Sequence, residues 1–210
     1  MEKLDLRKEW KELYAPSARH VDVVQVPRFQ FAMIDGQIED GQIPEQSEGF
    51  QEALNVLYGV TYTLKFMYKL REAKPINYRI MALEGLWWTE SGEFDFNHKE
   101  DWRFTLMIVQ PDHIDQKMYQ EAVSSLREKK GEIPALGQLR FEAFEEGLCM
   151  QILHVGAYDL EPMTIARLKD FATDNGYRIN GKHHEIYLSD PRRAKPDKIR
   201  TILRYPIEKD

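Results

Sequence analysis

Cysteine is nearly absent: Cys149 is the single one in 210 residues. One thiol cannot close an internal disulfide, so the fold has to rest on its core. No apolar run approaches the roughly 20 residues that a membrane-spanning helix needs. A basic excess is also missing, since 29 Lys and Arg stand against 35 Asp and Glu, for a net charge of −6. That balance argues against a nucleic-acid-binding surface. The N-terminus carries no secretory pattern, which with the lone cysteine points to a reducing, cytoplasmic setting. There is no phosphate-cradling glycine loop, no nucleophile elbow around a serine and no HExxH pair. Nothing in the sequence asks for a metal or an organic cofactor.

What is present is apolar and aromatic. Hydrophobic residues make up 42% of the chain, with four Trp and ten Tyr, enough for a sizeable core. The length suits one domain over residues 1–210. Leu6, Trp10 and Leu13 share a helical face in residues 4–14. Strands are expected at 21–26 and 29–37, broken by Pro27. Ser47 can cap a helix over 47–71. Residues 78–89 and 102–109 read as a hairpin around a polar loop, 90–101. A linking helix follows at about 113–130. Strands at 139–144 and 148–158 flank a turn at Glu145-Glu146-Gly147, and a helix begins at Pro162. Strands at 183–188 and 200–205 close the chain, the last one stopped by Pro206.

This order repeats strand, helix, strand, strand in two units, about 21–111 and 139–207. The expected fold is therefore α+β, a tandem repeat whose antiparallel sheets join around a central cleft with helices on the outer face. Under the repeat, Glu84 is the counterpart of Glu185.

The stretch 183–191, HHEIYLSDP, is the most unusual one. Glu185 and Tyr187 are two apart, so on a strand they share a face while Ile186 takes the other. An acid and a phenol inside an apolar strand need solvent, a partner or a ligand. Glu185 can serve as a counter-charge for a cation or as a general base whose pKa is raised by an apolar cleft. A salt bridge to Arg204 is the structural alternative. Trp88 shares the face of Glu84 and is the better stacking candidate; Trp87 is expected to point to the helix layer. Tyr158 and His154 share a face near the cleft mouth. His154, His183, His184 and Glu185 do not have the spacing of a metal site, because adjacent strand residues point opposite ways.

Several segments together resemble the GyrI-like small-molecule-binding family: VDVVQVPRFQFAMIDG, EGLWW, HVGAY, HHEIYLSDPRR and KIRTILRYPI, in order along nearly the whole chain. The resemblance is to the branch without a DNA-binding domain. It implies paired strand-helix-strand-strand units around a cleft that takes bulky aromatic, often cationic, molecules. It also implies hydrolysis of cyclopropanoid DNA-alkylating compounds, as in some stand-alone members. The family's glutamate falls on Glu185, its phenol on Tyr187 and its aromatic pair on Trp87 and Trp88. The expected partner is thus a small aromatic ligand, with no nucleic acid and no membrane. Two other readings stand beside hydrolysis: non-catalytic multidrug sequestration, and a gyrase-interacting protein like the family's namesake.

Overall fold

The computed structural model describes residues 2–39, 41–90, 94, 96 and 101–210. Six antiparallel strands form a closed ring. They are β2 (Asp22–Gln37), β5 (Arg103–Gln110), β4 (Leu83–Trp88), β8 (His183–Tyr187), β9 (Arg200–Lys209) and β6 (Arg140–Val155), which returns to pair with β2. The β6–β9 pairing, Cys149 opposite Pro206 through Val155 opposite Arg200, completes the barrel. A short strand β7 (Tyr177–Ile179) lies along the outer end of β9. Strands β1 (Glu2–Leu4) and β3 (Ile76–Tyr78) form a separate parallel pair.

Among the described residues, three long helices lie outside the barrel: α3 (Glu48–Leu70), α4 (Gln116–Lys130) and α5 (Glu161–Asp174). Their starts follow local chemistry. The Ser47 hydroxyl accepts the Phe50 N–H at 3.0 Å, and the Asp115 carboxylate accepts the Met118 N–H at 2.8 Å. Gly131, with φ of 82°, ends α4, a left-handed conformation that glycine adopts without steric cost. Leu57, Val60 and Leu64 bring the apolar face of α3 onto the sheet, where Leu106 and Ile108 are equally buried. A second cluster, Leu168 and Ala172 of α5 with Met150, Ile152 and Leu203, covers the other half.

Four expected boundaries change. Residues 4–14 form two single turns, α1 (Leu6–Glu9) and α2 (Lys11–Tyr14), because Trp10 leaves helical geometry at φ −109°, ψ 48°. Trp10 instead packs edge-on against Phe29 at 5.2 Å. Pro27 does not break β2; the strand pairs only with β6 there, so the missing N–H deprives no second neighbour. Glu145-Glu146-Gly147 is not a turn, since β6 runs through it and keeps the same register with β2 on both sides. β9 likewise continues past Pro206 to Lys209. The expected hairpin loop 90–101 falls largely outside the described residues.

Candidate functional site

Strand β8 presents different chemistry on its two faces. His183, Glu185 and Tyr187 project outward, to the helix side, while His184 and Ile186 project into the barrel. Across β4, Trp87 stands opposite His183 and Gly85 opposite Glu185. Across β9, Thr201 stands opposite Tyr187. Trp87 is therefore on the face of Glu185, and its Nε1–H donates to the Tyr187 hydroxyl at 2.9 Å. Phe50 of α3 stacks on Trp87 at 5.9 Å, and Trp102 meets it edge-on at 5.9 Å. Tyr158, in a 3₁₀ turn ahead of α5, meets Tyr187 edge-on at 6.2 Å. These rings form an apolar wall around a carboxylate.

Glu185 is buried, and its Oε1 accepts a hydrogen bond from His183 Nε2 at 2.9 Å. Glu161, the first residue of α5, is buried beside it and reaches toward Thr201. Three buried polar atoms here make no hydrogen bond: Glu161 Oε1, His183 Nδ1 and Thr201 Oγ1. Buried polar atoms are almost always paired, so each of these three is a departure that calls for an account. Burial tends to raise the pKa of Glu185, but His183, the Tyr187 hydroxyl and Glu161 more than offset it and hold it below the usual carboxylate range. Glu161 goes the other way: burial first, and then the charge on Glu185, push it well above that range. The two shifts run in opposite directions, as for two carboxyls that compete for one proton. The expectation that an apolar cleft raises the pKa of Glu185 is overturned, because its neighbours stabilise the anion. Burial also raises the Tyr158 and Tyr187 phenols, which stay protonated at neutral pH.

Glu84 and Trp88 are elsewhere. The register places Glu84 opposite Ile186, on the barrel's inner face. There its carboxylate accepts from Tyr14 Oη at 2.8 Å and from His184 Nε2 at 3.1 Å. His184 Nδ1 donates to Glu146 at 3.0 Å, and Arg204 Nη1 donates to the same carboxylate at 3.3 Å. Arg204 also donates to Gln151 Oε1 and to the Leu13 carbonyl, both at 2.9 Å through Nη2. The Gln151 amide in turn donates to the Glu12 carbonyl at 2.8 Å. This network fills the barrel with paired charge and pins the N-terminal segment over it. Arg204 belongs to it, so the salt bridge from Glu185 to Arg204 is not made. Trp88 shares the Glu84 face, with Lys182 Nζ 3.2 Å from its ring centroid. Trp87 replaces it as the aromatic neighbour of Glu185.

His154 has partners of its own. Its Nε2 donates to the Ala157 carbonyl at 3.2 Å, so Nδ1 accepts from the Thr164 hydroxyl at 2.8 Å. It ties β6 to α5 rather than bonding to Glu185. Glu161 and His183 are the members that the sequence did not reveal. Glu161 reads as an ordinary acidic residue in a first helical turn. His183 was visible only as half of a histidine pair.

The fold is a barrel built from two strand-helix-strand-strand units, with an aromatic-walled carboxyl cluster on its helix side. The sequence matches the GyrI-like small molecule binding domain over residues 20–208, and the chain belongs to that family. An uncharacterised conserved protein from Listeria innocua is 37% identical, with 98% of this chain and all of that one aligned at a TM-score of 0.87. Two hydrolases from Listeria innocua are similar as well. One is 35% identical over 99% of this chain and all of its own, with a TM-score of 0.86. The other is 34% identical over 98% and all of its own, with a TM-score of 0.83. No curated protein matches. Among the described residues, no helix is long and apolar enough to cross a membrane.

Proposed function

We propose that this protein is a cytoplasmic hydrolase of strained cyclopropanoid electrophiles carried on bulky aromatic scaffolds, with Glu185 as the general base. The observation that carries the reading is a buried carboxylate bonded to His183 and set beside the Tyr187 hydroxyl under an aromatic wall. The hydrolases at 34% and 35% identity support it. Trp87, Tyr158 and Tyr187 supply flat apolar surface for the scaffold. Glu185 takes a proton from water as the water oxygen bonds to a cyclopropane carbon. The ring C–C bond breaks, and its electron pair passes into the conjugated carbonyl of the substrate. The Tyr158 hydroxyl donates to the oxygen where that charge gathers, while the Tyr187 O–H stays on Glu185. Ring strain supplies driving force, so positioning and one base suffice.

Sequestration without turnover is the second reading, favoured by the same aromatic wall. Incubation with a cyclopropanoid alkylator, followed by mass spectrometry, separates the two. Ring-opened product carrying one added water is expected from the wild type, with at least a hundredfold loss in Glu185→Gln, within the roughly 10²–10⁴-fold contribution of a general base. Stoichiometric binding, read by Trp fluorescence, with no product would establish sequestration instead.

A further inference from the structure

Glu161, in the first turn of α5, and Glu185, on β8, come within side-chain hydrogen-bonding reach of each other. The groups around them can be named. From β8 come Tyr187 and the His183 ring that bonds Glu185; from β9 comes Thr201; from the turn before α5 comes Tyr158. Beyond Tyr158 lie the carboxylates of Glu45 and Asp190. None of these is a lysine or an arginine. The imidazole of His183 bonds Glu185 and not Glu161, so a charge on Glu161 would meet the Glu185 carboxylate with no cation of its own, and Glu161 keeps a proton. The hydrogen bonds point to the same side. Glu185 already has a donor in His183, whereas Glu161 Oε1 has none.

We propose that Glu161 is the acid partner of Glu185, a positioning residue whose single retained proton orients the Glu185 carboxylate and keeps it in the base form. The opposite directions in which burial and mutual charge move the two groups agree with this division. A helix N-terminus ordinarily favours an anion, so a neutral acid at this position is a departure that needs a local cause. Burial, and then the charge on Glu185, supply that cause. The role in water activation rests on Glu185 being the base; the sharing of one proton does not.

The test starts with the pair itself, with no substrate. Carboxyl ¹³C signals of the full chain, labelled at glutamate, are followed through a pH titration. One signal is expected to keep its proton far above the ordinary carboxylate range. It should vanish in Glu161→Gln and move down in Glu185→Gln, where the opposing charge is gone. Every buried carboxyl titrating in the ordinary range would overturn the proposal. The second readout is the pH profile of hydrolysis. Wild type should lose rate on the alkaline side as Glu161 ionises beside Glu185. Glu161→Gln, which keeps an N–H donor but cannot ionise, should lose that alkaline limb and only a few-fold in rate. Glu161→Leu should lose at least tenfold. Equal profiles for the wild type and Glu161→Leu would overturn the positioning role. Absence of turnover in the wild type would overturn the reading of Glu185 as a base, while the titration still decides the pair.

Discussion

His184 gives the sharpest quantitative expectation. Its ring lies between two carboxylates inside the barrel, with Nε2 3.1 Å from Glu84 and Nδ1 3.0 Å from Glu146. Both nitrogens face acceptors, so both carry protons and the ring is an imidazolium. Burial alone would lower its pKa, but Glu146 and then Glu84 raise it from 6.5 to about 9. A folded pKa above the unfolded one means that the folded state holds the proton more tightly. The resulting stability is complete below pH 6.5 and is lost as the pH rises through about 9. At about 1.4 kcal/mol per pH unit, the interval corresponds to roughly 3 kcal/mol. The perturbation is His184→Gln, which keeps polarity and removes titration. Urea unfolding of both proteins, followed by Trp fluorescence from pH 6 to pH 10, measures the gap between them. Lysine and tyrosine titrations are common to both and cancel. The gap should narrow by roughly 3 kcal/mol across that range. A constant gap would refute the charged, doubly bonded ring.

Two further outcomes follow from the same packing. Arg204→Leu leaves Glu146 with His184 alone and takes the Arg204 donor from Gln151 and the Leu13 carbonyl, and removing one partner of a buried pair costs about 3–5 kcal/mol, measurable by urea unfolding. Gly85→Ala places a methyl 2.8 Å from Trp87 Nε1 and 3.2 Å from Tyr187 Oη, both too close for carbon. It should cost about 1–3 kcal/mol and shift one of the four indole N–H resonances, while an unchanged indole spectrum would show that the pocket has slack there.

Much of the fold can be read from the sequence where local chemistry decides it. Ser47 capping, the apolar stripe of α3 and the strand-helix-strand-strand order are set within a few residues. Glu185 is legible because an acid in an apolar strand is anomalous wherever it points. Glu146 is not legible. Beside Glu145 and Gly147 it has the appearance of a polar turn, and its partners His184 and Arg204 lie 38 and 58 residues away. Nothing local signals that a carboxylate there is buried. The preference for Trp88 over Trp87 has a related origin. Alternation correctly predicts that they point opposite ways and that Trp87 meets the helix layer. It does not say that the candidate site lies in that same layer. Barrel closure decides this, through the β6–β9 pairing, which is a long-range event.

The two-faced strand β8 also constrains its own alignment. Sliding it by one residue along β4 and β9 would turn every side chain to the opposite face. Glu185 would then enter the barrel as a third acid beside Glu84 and Glu146, and His184 would leave them for the aromatic wall. An apolar strand can survive such a slip with modest loss, but this one would misplace charge on both sides at once. Electrostatics here works as a key cut on two edges, admitting one alignment of β8 and rejecting its nearest neighbours.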